Sequence, residues 1–101
     1  VARDMSIGDP AAPHFVRWAE PVYPPIARKL GKEGEVILRL TLNEAGKLEK
    51  LEVVRGDGYG FTEAAVEAMR QSVFSPSREH GRPGKTRILV PVRFVLRENR
   101  P

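Results

Sequence analysis

The residues able to do chemistry are few and scattered: His14 and His80, the serines Ser72, Ser75 and Ser77 around Pro76, and the carboxylates Glu63 and Glu67. A helical metal site needs ligands four apart, and neither histidine has a ligand-type neighbour at that spacing. A nucleophilic serine needs a base within hydrogen-bond reach, and no base suited to that role stands beside these three in sequence. Glu63 and Glu67 fall on one helix face with Arg70 nearby, which reads as a solvated surface rather than as paired acid catalysis. "GDGYG", Gly56 to Gly60, lacks the lysine and following Ser or Thr of a phosphate loop and reads as a turn with a helix cap. Cysteine is absent, so neither disulfides nor thiolate zinc sites can form. The inventory predicts no enzyme, no cofactor and no metal.

The frame that must carry these residues is one compact domain, since 101 residues leave little room for a second core. The apolar 41% falls in patterned runs, none approaching a membrane span of about 20 residues. Thirteen acidic side chains are interleaved with seventeen basic ones for a net charge of +4, a mixed solubilising surface without a block of like charge. Arg39, Arg87 and Arg93 could track phosphates, but sheet-based RNA readers stack bases on exposed aromatics, and the solvent-facing strand positions carry none. Nucleic acid is therefore not an expected partner. Val1 is not an initiator methionine and no signal-peptide pattern follows it, so the expectation is a fragment of a longer protein.

Residues 1–20 read as a linker or N-terminal extension, with Phe15, Val16 and Trp18 able to dock on the domain that follows at 21–98. In "YPPIARKLGKEG", Pro24 or Pro25 suits a first helical turn and Gly31 a helix end; Ile26, Ala27 and Leu30 recur on one face. "EVILRLTL", Glu35 to Leu42, alternates as a half-buried strand, "NEAG" is a turn, and "KLEKLEVVR" returns as a second strand. Leu48 is out of phase with Leu51 and Val53, which predicts a bulge near Glu49 and Lys50. Thr62 is placed to cap a second helix running to about Val73, with Phe61, Ala65, Ala68 and Met69 inward. "SPSREHGRPG" reads as a loop.

The last strand, "KTRILVPVRFVL" from Lys85 to Leu96, turns Ile88, Val90, Val92, Phe94 and Leu96 to one face. Pro91 in its middle has no N–H to give a ladder, which confines the strand to an edge. If the first strand lies centrally, every neighbouring pair is antiparallel. The expected fold class is α+β: a three-stranded antiparallel sheet in the order second, first, last, with both helices on one face. Two readings of that edge stay open. Pro91 and the arginines blunt it against stray pairing, or a partner peptide adds a strand there with Pro91 setting the register.

In this order and spacing, "PVYPPIARKLGKEGEV", "LNEAGKLEKLEVVRGDGYGFTEAAVEAM" and "FSPSREHGRPGKTRILVPVRFVL" resemble the TonB C-terminal domain family. The likeness runs from about Pro21 to Arg97. It implies the same sheet and a periplasmic domain of an inner-membrane-anchored energy transducer. Such a domain pairs its last strand with the TonB box of an outer-membrane transporter, and passes on force from inner-membrane motor proteins for import of substrates such as siderophores. Carried over by position, the partner-binding residues are Glu20, Pro21 and Val22 before the Tyr-Pro motif, and Arg87, Leu89, Pro91, Arg93 and Val95 on the edge. Tyr23, Pro24, Gly34, Gly46, Ala65 and Pro76 take the family's structural positions. "GDG" and Phe61-Thr62 stand where the family often has Ser-Ser-Gly and Leu-Asp. The alternative is a related periplasmic adaptor, or a weak homodimer formed through the same edge.

Overall fold

The structure, a computed structural model, describes residues 4–6, 8, 12–79 and 82–96. Its elements in chain order are β1 (Asp4–Ser6), β2 (Phe15–Arg17), α1 (Pro25–Lys29), β3 (Gly34–Leu42) and β4 (Leu48–Arg55). Then follow α2 (Phe61–Gln71), β5 (Val73–Phe74), β6 (Ser77–Glu79), β7 (Arg82–Gly84) and β8 (Thr86–Phe94). The architecture is α+β.

Alternation builds the middle of the sheet. Val36, Leu38, Leu40 and Leu42 of β3 are fully buried, and opposite them Ile88, Val90, Val92 and Phe94 of β8 are nearly so. β3 pairs antiparallel with both β4 and β8 and is therefore central. The expected three-stranded antiparallel sheet needs correction. Among the described residues the sheet has four strands in the order β1-β8-β3-β4, and β1 runs parallel to β8. Three residues with one apolar side chain, Met5, are too short for any period to show, which is why the sequence hid this strand. β2 with β5 and β6 with β7 form two small antiparallel ribbons, the latter inside the stretch read as a loop.

The β3–β4 hairpin closes through Asn43, whose side-chain oxygen accepts from the Ala45 and Lys47 amides at 2.9 Å each. Gly46 follows at φ +82°, a left-handed position where a Cβ would stand 2.6 Å from the Phe74 carbonyl oxygen. The register then skips Glu49, since Leu42 faces Leu48 and Thr41 faces Lys50; this is the bulge that the phase of Leu48 predicts.

α1 starts on Pro25 and ends in a Schellman arrangement: Lys32 N–H donates to Ala27 O and Gly31 N–H to Arg28 O, with Gly31 at φ +68°. Its expected apolar face is not buried as a whole. Ala27 enters the core, while Ile26 and Leu30 are more than half exposed, because a five-residue helix offers the core little more than one position. α2 buries Phe61, Ala65, Ala68 and Met69, small residues at the centre letting it lie close over β3 and β4. It ends at Gln71, short of Val73. Its cap differs from expectation too: Gly60 at φ +88° is the N-cap, and Thr62 instead donates its hydroxyl to Asp57 O at 3.0 Å. The Asp57 carboxylate accepts from the Glu35 amide at 2.7 Å, tying the approach to α2 to the start of β3.

An aromatic trio joins helices to sheet. Phe61 and Phe94 lie 4.8 Å apart, and Tyr23 meets both edge-on at 5.7 and 5.8 Å. Tyr23 is held by donating its hydroxyl to Lys32 O and by Arg28 over its ring at 4.8 Å. Gly34 must lack a side chain here, since a Cβ would come within 2.6 Å of the Phe61 ring.

The N-terminal stretch is packed where it is described. Phe15 stacks on Phe74 at 4.7 Å and meets Trp18 edge-on at the same distance, while Val16 stays exposed. Ala12 and Pro13 are buried.

Phe61→Ala should cost about 3–5 kcal/mol in chemical denaturation, and Gly34→Ala about 1–3 kcal/mol through overpacking. In the Phe61→Ala background the Gly34→Ala cost should shrink, because the Phe61 ring is gone and only the Asp57 carboxylate, 3.0 Å from the added Cβ, is left to yield. Burial, with the nearby Glu33 charge, pushes the Tyr23 phenol above its ordinary 10.0 against a smaller opposing pull from Arg28. The folded state then holds that proton more tightly than the unfolded one. The associated stability is complete below pH 10 and falls as pH rises through the raised value. Denaturant midpoints should therefore drop less above pH 10 in Tyr23→Phe than in the parent.

Candidate functional site

Backbone amide direction alternates along a strand, and Leu96, two residues past β8, donates its N–H to Glu33 Oε2 at 2.8 Å on the β3 side. Counting back, Phe94, Val92 and Val90 turn their amides toward β3, and Val95, Arg93 and Pro91 turn away from it. Proline thus occupies a position whose missing N–H costs no bond to β3. Pro91 is exposed opposite Ile37.

The outer side of β8 is divided. β1 covers it at Arg87, Ile88 and Leu89, paired with Asp4, Met5 and Ser6. From Val90 onward no strand lies beside it among the described residues. The expectation of an open edge from Lys85 to Leu96 is corrected accordingly, because the chain's own first strand takes the early part.

At the far end the edge opens into a cleft of about 540 Å³ lined by Glu20, Pro21, Tyr23, Arg93, Phe94 and Val95. The fold therefore gathers four of the expected residues, Glu20, Pro21, Arg93 and Val95, around one depression. Val22, 74% exposed, lines a neighbouring groove of about 300 Å³ with Glu63, Ala64, Glu67, Ala68 and Gln71, and shares Glu20 and Pro21 with the cleft. Arg87 and Leu89 lie under β1 instead.

Charge around the cleft is engaged within the chain. Arg93 Nε donates to Glu35 Oε2 at 3.0 Å across the β3–β8 pair, and Arg55 approaches the other oxygen of Glu35 at 3.9 Å. Glu20 accepts from the Trp18 indole at 3.0 Å, which positions its carboxylate at the cleft mouth. Tyr23 and Phe94 supply the cleft's aromatic wall, a contribution the sequence reading assigned to fold alone.

One pairing was invisible in sequence. His14 Nδ1 lies 2.9 Å from Ser75 Oγ, and the same hydroxyl accepts from the His14 amide at 3.1 Å, so Ser75 does have a base beside it in space. The contact fastens residues 12–19 to the segment after α2, helped by Ser75 N–H donating to His14 O and Ser72 Oγ accepting from the Ala19 amide. The Ser75 hydroxyl is engaged with the His14 backbone as well as its ring, and no aligned third group completes a catalytic relay among the described residues. His80 lies outside the described residues. Among the described residues no cluster of three or more ligand-type side chains could hold a metal ion.

Comparison with known proteins places the chain in a family and matches its fold. The chain is 38% identical over 78 residues to Protein TonB of Vibrio cholerae serotype O1, covering 76% of this chain and 32% of that protein. It is 34% identical over 77 residues to Protein TonB of Xanthomonas campestris pv. campestris, covering 75% and 34%. The chain thus spans about a third of the length of these relatives. In fold it is similar to the solution NMR structure of the Pseudomonas aeruginosa TonB CTD, with a TM-score of 0.74, 24% identity, and 95% and 97% of the two chains covered. The family described as Gram-negative bacterial TonB protein C-terminal matches residues 19–96, and the chain belongs to that family.

Proposed function

We propose that the domain is the partner-binding end of a periplasmic, inner-membrane-anchored energy transducer. It pairs the outer edge of β8 with the TonB box near the N-terminus of an outer-membrane transporter. The observation that carries this is the stretch Val90 to Val95: an edge with no neighbouring strand among the described residues, leading into the cleft that holds Glu20, Pro21, Arg93 and Val95. Main-chain pairing gives a visiting strand affinity without demanding much of its sequence, and the cleft side chains add selectivity.

The energetics suit a contact made and broken in each cycle. At about 0.5–1.5 kcal/mol net per hydrogen bond, a short ladder supplies only a few kcal/mol before association entropy is subtracted. Side-chain contacts at the cleft supply the remainder. Arg93 can keep one N–H on Glu35 and offer others to an acidic residue of the partner.

A synthetic peptide of the transporter's N-terminal segment should shift the NMR amide signals of Val90 and Val92 to Val95. Shifts confined to α1 or to β4 would overturn the assignment. Arg93→Ala should weaken binding about two- to fivefold, the scale of an exposed charge contact. Concentration-dependent sedimentation of the domain without peptide would favour pairing between copies through the same edge.

A further inference from the structure

The same edge already carries a strand, and that strand belongs to the chain itself. β1 runs parallel to β8 in the register Asp4 to Arg87, Met5 to Ile88 and Ser6 to Leu89. Met5 is half-buried against the core, so the segment is held by packing as well as by pairing. The pairing ends at Ser6 opposite Leu89, and the chain turns at Gly8, at φ +99°. The ladder thus ends two residues short of Pro91, the position with no N–H to offer.

We infer that β1 is a self-donated strand that competes with an incoming partner for the Arg87–Leu89 part of the edge. It divides the edge into a part open to any partner, Val90 to Val95, and a part a partner reaches only by displacing β1. This rests on the function proposed above and adds a regulatory element to it. Displacement carries a cost set by how firmly β1 is seated. A cis strand closed about 70–90% of the time raises the apparent Kd of a competing peptide about three- to tenfold. A peptide short enough to stop at Val90 is exempt from that cost.

The test uses the full 101-residue chain, a variant lacking Val1 to Gly8, and Met5→Asp, which places a charge where Met5 packs. Each is titrated with two synthetic transporter N-terminal peptides, one long enough to span Arg87 to Val95 and one limited to Val90 to Val95. Both variants should bind the long peptide about three- to tenfold more tightly than the parent, with the short peptide unchanged. Saturating long peptide should also strip hydrogen-exchange protection from the Met5 and Ser6 amides of the parent. Parent-like affinity in both variants, or retained protection at Met5 and Ser6 with long peptide bound, would overturn the competition and leave the proposed function standing. Absence of binding by parent and variants to either peptide would sink both.

Discussion

Everything in this domain is arranged around the two-sided pairing of β3. A strand hydrogen-bonded on both flanks and buried along one face has no freedom of register, because a shift of one residue would turn Val36, Leu38, Leu40 and Leu42 toward solvent. That immobility forces β4 and β8 outward and lays α2 across the apolar face. It also fixes Glu35 between Arg93 and Arg55, so the charge beside the cleft is set from the centre of the sheet.

What could be read in the sequence was whatever repeats over a long enough run. β3 and β8 alternate for nine residues each, and every apolar position the alternation marks within them is buried, Thr41 alone being buried out of phase. The bulge at Glu49 was visible as a phase slip at Leu48. Shorter pieces carried no such signal. β1 has three residues and β5 two, and nothing local tells a pairing strand of that length from an irregular link. α1 misled for a related reason: Ile26 and Leu30 have helical spacing, but spacing gives a face and not the wall it would rest on.

The candidate site divided along the same line. Pro91 on an outward-facing edge follows from the chemistry of one residue and the period of a strand. The cleft of Glu20 and Pro21 with Arg93 and Val95 joins segments from opposite ends of the chain, which only the folded sheet brings together. His14 beside Ser75 is another long-range meeting, and composition had given no reason to pair them. The family resemblance placed Glu20 to Val22 near the edge; residue patterns alone did not.

The closing strand comes from the opposite end of the sequence to its neighbour, Asp4 against Arg87. Such a pairing joins the chain's first strand to its last, so nothing between them holds β1 in place except its own three residues. Whenever β1 leaves, the outer margin of β8 from Arg87 onward lies bare. Exposed strand margins invite association with whatever extended chain is near. In that state the domain is at its most receptive, and also most prone to clump with its own kind.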